Sequence, residues 1–346
     1  MVTGGSLLDS ASNGQELSEE DLREVYEQLT DICSAIKENV ASVVVGQSMV
    51  LDHLLVALFT DNHALIEGYP GLGKTLLVRT LSSLLGLDFN RIQCTPDLMP
   101  SDITGTYIIE EDEGRKRFMF SEGPVFTNIL LADEINRATP KSQSALLESM
   151  QERQVTSGKE TFILDRPFMV LATQNPIEME GTYPLPEAQV DRFLLKIKVE
   201  YPKKDEEELI VDLYSGSKPP HPNIEPLWEN PNDSKRNLIG IQKLTRLMPI
   251  SDEIRDYALS IVGKTRPAGS SAAKDYLEFG ASPRASIGLV LAAKAHALIN
   301  GRNYVSKKDV ESMALPVLRH RIILNFESER KGLTTDKVVN EIIKEA

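Results

Sequence analysis

The sequence predicts an α/β protein in which a parallel sheet is covered by helices on both faces and is followed by an all-α domain. Three observations support this fold class. Short apolar segments typical of buried strands alternate with helical patterns from about residue 18 to about residue 214. A segment rich in Pro, Asn and Ser comes next. Beyond it, only amphipathic helical patterns remain, as expected of a small helix bundle.

The same features divide the chain of 346 residues into four predicted segments. Residues 1–17 consist mainly of small and polar side chains and predict a disordered tail. The α/β core extends over residues 18–214 and contains two predicted β-hairpins. An interdomain linker is expected at residues 215–236, and the helical domain at residues 237–346.

The core begins with a helical pattern from Ser18, in which apolar residues recur at steps of three and four. A turn at Gly46 leads into a second amphipathic helix. Five apolar runs then predict the strands of the sheet, at residues 63–68, 88–95, 128–134, 168–176 and 194–202. Since helical patterns separate several of these runs, the strands are expected to lie parallel.

Two hairpins are predicted between the strands of the sheet. The runs 106–109 and 117–120 are rich in β-prone residues and flank an acidic turn that contains glycine. The segment 153–168 has the same character, with Ser157 and Gly158 at its turn. Both hairpins are insertions into an otherwise alternating pattern.

Composition argues against several classes of protein. The chain has 38 basic and 51 acidic residues, a net charge of −13, and such a surface repels the phosphates of nucleic acids. Cys33 and Cys94 form no metal-binding or disulfide pattern, which fits a reducing compartment, and we expect a cytoplasmic protein. No apolar run approaches the ~20 residues that span a bilayer, so no membrane insertion is expected.

The stretch "EGYPGLGKTLLVRT" at residues 67–80 contains the pattern G-x-x-x-x-G-K-[ST] between a predicted strand and a predicted helix. Glycines allow successive backbone amides to turn toward a phosphate, and the helix N-terminus adds partial positive charge. Lys74 would reach the β- and γ-phosphates, and the Thr75 hydroxyl would bind Mg²⁺. We therefore predict a site for ATP or ADP with Mg²⁺. Its predicted nucleotide contacts are Gly68, Pro70, Gly71, Leu72, Gly73, Lys74, Thr75 and Leu76.

Polar residues follow two of the other predicted strands. Asp133 ends the run "NILLAD" and would hold Mg²⁺, while Glu134 would polarise the attacking water. By itself, an Asp-Glu pair after an apolar strand is a solvated turn about as often as it is part of a functional site. Asn175 could orient the water beside the γ-phosphate, although an Asn before Pro176 is also typical of a turn.

Several segments together resemble the MoxR family of AAA+ ATPases, from about Val44 to the end of the chain. They are "EGYPGLGKT", "LLADEINRA", "ALLESMQE", "ATQNP" and "EGTYPLPEAQVDRF". The segment "DLMPSDITG" with the hairpin after it, and "VTSGKETFILDRPF", resemble the insertions of the branch that also contains magnesium chelatase and the MCM ATPases. The resemblance implies a P-loop NTPase core of the AAA+ type with a helical lid domain.

The resemblance also assigns roles to single residues. It implies that residues 68–75 form the Walker A loop, that Asp133 and Glu134 form Walker B, and that Asn175 is sensor 1. Three further roles concern residues outside these motifs. The implied residues are Arg192 as an arginine finger acting on a neighbouring subunit, Arg284 as sensor 2, and Val45 and Gly46 as a segment near the adenine. Arg137 is an alternative finger, and the resemblance leaves open whether Arg284 acts on its own nucleotide or on a neighbour's.

A finger that acts on a neighbour implies a homo-oligomer, expected to be a hexameric ring. MoxR proteins commonly act as chaperone-like remodelling or maturation factors with partners that carry von Willebrand factor A domains, so the resemblance implies such a partner. Two alternatives are a nucleic-acid motor of the MCM type, which the net charge of −13 opposes, and a slow nucleotide-gated scaffold.

Overall fold

The computed structural model describes residues 18–112, 115–177, 181–217, 220–221 and 224–346. The predicted tail at residues 1–17 and the turn of the first hairpin at residues 113–114 lie outside them, as do four positions of the predicted linker.

The described residues form the following strands, named in chain order. They are β1 (Ala64–Gly68), β2 (Phe89–Gln93), β3 (Gly105–Asp112), β4 (Arg115–Glu122), β5 (Ile129–Asp133), β6 (Gln154–Ser157), β7 (Glu160–Ile163), β8 (Met169–Gln174), β9 (Leu195–Val199), β10 (Leu277–Phe279) and β11 (Ile323–Leu324). The helices are α1 (Glu19–Ala41), α2 (Ser48–Phe59), α3 (Lys74–Leu84), α4 (Pro100–Thr104), α5 (Pro140–Glu152), α6 (Glu187–Val190), α7 (Lys204–Ser215), α8 (Pro231–Leu247), α9 (Asp252–Lys264), α10 (Ser271–Tyr276), α11 (Pro283–Ile299), α12 (Lys307–Leu318), α13 (Phe326–Arg330) and α14 (Thr335–Glu345).

The five predicted strands pair as one parallel sheet in the order β2-β5-β8-β1-β9, which confirms the predicted fold class. All five residues of β5 are buried, as expected of a strand covered on both faces. Successive residues point to opposite faces and join different apolar clusters. Ile129 and Leu131 belong to a cluster with α1, α2 and α3, whereas Leu130 and Ala132 pack with α5 on the other face.

Local sequence explains where the helices beside the sheet begin. Gly73 precedes α3 in a left-handed conformation that ends the loop after β1. Thr139 caps α5 by accepting a hydrogen bond from the amide of Ser142, and Pro140 occupies the first helical position. Because β1, β5 and β8 run in the same direction, the segments that follow all three meet at one edge of the sheet.

Both predicted hairpins are present: β3 pairs with β4 and β6 pairs with β7, each antiparallel. They also contact each other, since the rings of Phe120 and Phe162 stack with centroids 4.1 Å apart. Ile109 and Phe118 of the first hairpin, and Ile163 of the second, remain largely exposed.

The helical domain packs directly on the core, because α11 lies against α1 and α2 within one continuous apolar cluster. A short antiparallel ladder of β10 and β11 joins the helices and was not predicted, since two or three residues are too few to show an alternating pattern. Helix α8 begins at Pro231, inside the segment predicted as linker, where the Asn230 side chain caps it. No described helix is both long and apolar enough to cross a membrane.

Candidate nucleotide site

The loop between β1 and α3 has the backbone conformation needed to surround an anion. Gly71 and Gly73 have φ values of +83° and +75°, which favour glycine. A Cβ atom at either position would meet nothing within 4 Å, so conformation rather than space requires glycine here. No side chain of the described residues caps α3, and the amides of its first turn therefore remain available to a phosphate.

Lys74 is folded across this loop. Its Nζ atom donates to the carbonyl oxygens of Gly68, at 2.5 Å, and Tyr69, at 3.1 Å. Burial lowers the pKa of Lys74, although the nearby carboxylates of Asp133 and Glu134 act in the opposite direction. Among the described residues, the ammonium thus has only backbone carbonyls as hydrogen-bond partners, which a phosphate can replace.

A cleft of about 410 Å³ opens at the edge of the sheet, in front of this loop. It brings together residues that the sequence predicted as one site although they are up to about 100 positions apart. Its lining residues are Pro70, Gly71, Leu72, Gly73, Lys74, Thr75, Leu76, Arg91, Gln93, Asp133, Glu134, Thr173 and Asn175. Gly68 does not line the cleft. A Cβ atom there would lie 2.9 Å from the Cβ of Val199, so this glycine permits close packing of β1 on β9.

Two hydrogen bonds fix the carboxylate of Asp133. Its Oδ1 atom accepts from the hydroxyl of Thr173 at 3.1 Å, and its Oδ2 atom accepts from Nε of Arg91 at 2.6 Å. The residue is 7% exposed, and it faces the cleft at the end of β5. The pair of bonds holds an anionic oxygen donor in the cleft that Thr75 also lines, and hard divalent cations prefer such oxygen donors.

Glu134 adopts a left-handed backbone conformation, with φ 56° and ψ 51°, which is uncommon for a residue other than glycine. Its amide donates to the Thr173 hydroxyl at 2.9 Å. Its Oε2 atom accepts from Nε2 of Gln93 at 2.9 Å and from Nη1 of Arg137 at 3.1 Å. The carboxylate is therefore held at the cleft wall, separate from that of Asp133.

Asn175 lies in the wall of the cleft and is 8% exposed. Its Oδ1 atom accepts from the amide of Ile177 at 3.2 Å, as expected of a turn before Pro176. Asn175 therefore forms a turn before Pro176 and also lines the cleft, so the two interpretations of this residue are compatible.

A second, mainly apolar pocket of about 270 Å³ adjoins the loop. It shares four residues with the cleft and adds residues from the segments before α2 and around α7. Its lining residues are Val43, Val44, Val45, Gln47, Gly71, Leu72, Gly73, Leu76, Pro202, Ile210 and Tyr214. The hydroxyl of Tyr214 donates to the carbonyl oxygen of Val43 at 2.7 Å, which holds the two walls together. Gly46 has φ +77° and does not line the pocket; a Cβ atom there would approach the carboxylate of Glu206 to 2.9 Å.

Neither Arg192 nor Arg284 lines the cleft. Nη1 of Arg192 lies 3.3 Å from the carbonyl oxygen of Leu147, on the outer surface of α5. Arg284 is 55% exposed, and its Nη1 atom lies 3.2 Å from Oδ2 of Asp191. Arg284 thus contacts the residue that precedes Arg192 in the chain, whereas Arg137 contacts Glu134, which lines the cleft.

Three contributors to the cleft were not predicted, namely Arg91, Gln93 and Thr173. The first two alternate along β2, and Gln93 lies opposite Asp133 in the register of β2 and β5. A sequence pattern cannot reveal this register, because it depends on which strands are neighbours. Thr173 ends a buried apolar run and has no feature that distinguishes it from a structural threonine.

Two family models match the chain. The model of the ATPase family associated with various cellular activities, abbreviated AAA, matches residues 63–195. The model of the AAA lid domain matches residues 269–342. The first range contains the loop after β1, Asp133, Glu134 and Asn175, and the second contains Arg284.

Curated relatives and a solved structure match most of the chain. Chaperone MoxR1 of Mycobacterium tuberculosis is 44% identical over 308 residues, which are 88% of this chain and 79% of the relative. Protein MoxR of Methylorubrum extorquens is 30% identical over 335 residues, covering 89% and 93% of the two chains. The crystal structure of a protein from Cytophaga hutchinsonii, assigned as an ATPase, is 43% identical with a TM-score of 0.85, covering 94% and 97%. The chain is therefore an ATPase and belongs to the MoxR family of AAA proteins.

Proposed function

We propose that the protein hydrolyses ATP in a Mg²⁺-dependent reaction and uses it, as a ring, to remodel or mature partner proteins in the cytoplasm. The observation that carries this proposal is the joint placement of the phosphate loop, two separately held carboxylates and Asn175 around one cleft, with an apolar pocket beside it. The pocket has the character expected for a base, and the cleft the character expected for phosphates.

In this proposal the residues of the chain have distinct tasks. The amides from Gly71 to Leu76 bind the β- and γ-phosphates, and Lys74 exchanges its bonds to backbone carbonyls for bonds to phosphate oxygens. The carboxylate of Asp133 and the hydroxyl of Thr75 would hold Mg²⁺, which when bound neutralises charge on the phosphates. Both are oxygen donors of the type this cation prefers.

Glu134 and Asn175 would act on water. The Glu134 carboxylate accepts a proton from the attacking water, while Asn175 orients that water toward the γ-phosphate. Gly68 and Val45 would contribute through the backbone, Gly68 by closing the loop on β9 and Val45 beside the base, while Gly46 supplies the positive-φ turn next to Val45. The positioned carboxylate would contribute about 10²–10⁴-fold to the rate, the range typical of general acid–base catalysis.

Arg192 and Arg284 would complete a neighbouring subunit's site, since neither of them lines the cleft of its own chain. Arg137 instead would bind Glu134 of the same chain. Rings are the usual assembly of AAA ATPases, and we propose a hexamer, with a separate protein carrying a von Willebrand factor A domain as partner. A relative that is 44% identical is named a chaperone, and the net charge of −13 disfavours nucleic acid as the client.

The test compares Glu134→Gln with Lys74→Ala. Glu134→Gln is expected to bind ATP as the unaltered protein does and to lose at least about 100-fold in turnover, because the amide accepts no proton. Lys74→Ala is expected to lose ATP binding as well, and chelation of Mg²⁺ to abolish turnover of the unaltered protein. Glu208→Gln, an exposed position on α7, serves as the control.

Unchanged turnover in Glu134→Gln would refute the assignment, and very slow turnover of the unaltered protein would support a scaffold. Light scattering with and without ATP measures ring size.

A further inference from the structure

The guanidinium of Arg321 lies between the core and the helical domain, with only 2% of its side chain exposed. All five of its N–H groups have acceptors in the structure, a complete set for arginine. Nε donates to Oδ1 of Asp191 at 2.7 Å. Nη1 donates to the carbonyl oxygens of Leu194 at 2.9 Å and Val317 at 2.5 Å, and Nη2 to those of Phe193 at 2.6 Å and Asp191 at 3.3 Å.

Four of these five bonds end on the segment from Asp191 to Leu194, which contains Arg192. The fifth ends on Val317 of α12, in the helical domain. Arg321 therefore fixes the backbone on both sides of Arg192 relative to α12. The bonds fix the backbone position of Arg192. They do not involve its guanidinium.

The second oxygen of Asp191 binds the helical domain as well. Oδ2 lies 3.2 Å from Nη1 of Arg284 and 3.5 Å from Oγ of Ser282. Arg284 is in the first turn of α11, where the helix dipole disfavours a cation, and more than half of it is exposed. Asp191 thus supplies the negative charge that holds an exposed arginine at an unfavourable position.

We propose that Asp191 and Arg321 are positioning residues that present Arg192 and Arg284 together, as one rigid pair, to the nucleotide of a neighbouring subunit. The inference rests on the proposed function, in which both arginines act across the subunit boundary. Asp191 is the common point: it precedes Arg192 in the chain, accepts from Arg321 with one oxygen and binds Arg284 with the other. Arg321 and Asp191 join the segment that carries Arg192 to α12 and to the start of α11, so we expect a shift of the helical domain to act on both arginines.

A purely structural role for this cluster makes different predictions. Buried ion pairs are often no more stabilising than apolar residues of similar volume, so stability alone gives little reason for five satisfied bonds at this position. The chain offers a matched comparison in Asp336 of the helical domain, which binds Lys198 of β9 in the core at 2.9 Å and Arg319 of its own domain at 3.1 Å. Asp336 is 25% exposed and Asp191 23%, but the contacts of Asp336 within the described part of the chain do not include the segment 191–194.

The experiment measures turnover in mixtures of variants. Asp191→Asn keeps the size of the side chain and removes its charge, and we expect at least a tenfold loss of turnover with unchanged affinity for ATP. In equimolar mixtures with Lys74→Ala, assembled from dissociated subunits, about a quarter of the interfaces join an intact phosphate loop to intact arginines. We therefore expect the mixture to regain turnover, although each variant alone is inactive or nearly so. Asp336→Asn is expected to keep its turnover.

The same mixture made with Arg192→Ala tests the proposed function itself. Recovery with Arg192→Ala but not with Asp191→Asn would overturn the positioning role, because a folding or local defect is not repaired by a neighbour. No recovery with Arg192→Ala would refute action across the boundary, and the inference with it. Full turnover of Asp191→Asn alone would also overturn the inference. Arg321→Lys, which keeps the charge but not the five bonds, gives the same readout if Asp191→Asn fails to fold.

Discussion

The Nε atom of Arg91 lies 2.6 Å from the Oδ2 atom of Asp133, across the cleft in which we place Mg²⁺ and the phosphates of ATP. The arginine is about half exposed, while the carboxylate is 10% exposed. The guanidinium therefore supplies positive charge that a buried carboxylate requires. A cation that binds Asp133 must share or replace this partner.

Substitution of Arg91 is expected to lower the stability of the free protein and to increase the stabilisation that Mg²⁺–ADP provides. Arg91→Ala leaves the Asp133 carboxylate without its ionic partner, at a cost of about 1 kcal/mol, since the exposed arginine is screened by water. A cation bound to Asp133 would neutralise the carboxylate and so remove this loss of stability. The rise in thermal midpoint on adding Mg²⁺–ADP is therefore expected to be larger in Arg91→Ala than in the unaltered protein.

The control for this prediction is Arg79→Ala, on the exposed side of α3 outside the cleft. It is expected to leave the response to Mg²⁺–ADP unchanged. A smaller response in Arg91→Ala would mean that the guanidinium contributes more to the bound state than to the free one, as a direct phosphate contact would.

The apolar pocket beside the phosphate loop provides a second prediction. Ile210 lines this pocket, whereas Leu209, its neighbour on α7, is 57% exposed and does not. Ile210→Ala is expected to weaken ADP binding by about 1 kcal/mol, or about fivefold, through lost apolar contact with the base. Leu209→Ala removes a side chain of the same size and is expected to have no effect.

Inorganic tripolyphosphate separates the base pocket from the phosphate loop. Because it has no base, its binding is expected to be equal in Ile210→Ala and in the unaltered protein. Calorimetric titration measures both ligands. Equal weakening of ADP and tripolyphosphate would indicate that the substitution disturbs the loop, and the pocket would then have no specific role in binding the base.

The sequence was sufficient to predict the strands of the sheet and most of the cleft, because those features are local. Apolar runs mark buried strands, and the glycines and lysine of residues 68–75 lie within one loop. The side chains that hold the carboxylates could not be predicted in this way. Gln93 reaches Glu134 only because β2 is the neighbour of β5 in the sheet, a pairing that spans some 40 residues.

The arrangement around Asp191 was hidden for a similar reason. Asp191 is followed directly by Arg192, but its partners Arg284 and Arg321 follow about 90 and 130 positions later, in the helical domain. Nothing in the local sequence of either segment indicates the other. Arg321 in particular reads as one of several basic residues at the end of α12, and only its burial distinguishes it.

The buried histidine at the start of β1 gives the last prediction. Nδ1 of His63 accepts from the amide of Val170 at 2.9 Å, so the proton is on Nε2, which donates to the carbonyl oxygen of Met150 at 3.0 Å. Burial lowers the pKa of His63 to about 4. The hydrogen bond to the Met150 carbonyl raises the pKa, the charge of Arg153 lowers it further, and the charge of Asp61 raises it. A second proton would have to be placed on Nδ1, where it would face the N–H group of Val170 and break that hydrogen bond.

The sign of the effect on stability follows from these values. The folded pKa is about 4 and the ordinary pKa of histidine is 6.5, so the unfolded chain binds more protons between these two pH values. The contribution of His63 is therefore complete above pH 6.5. It declines as the pH falls toward 4, by up to about 1.4 kcal/mol per pH unit.

We expect His63→Asn to be less stable than the unaltered protein at pH 7.5, yet to lose less stability on acidification. Asparagine can still pair with one of the two backbone groups, but it does not titrate in this range. His53, whose pKa burial also lowers to about 4, is present in both proteins, so only the difference between their thermal midpoints from pH 7.5 to pH 5 is informative. His221→Asn, at an exposed position, is the control. Parallel midpoint curves for His63→Asn and the unaltered protein would show that His63 takes up its proton in the folded state as readily as in the unfolded chain, contrary to the hydrogen bonds that hold it neutral.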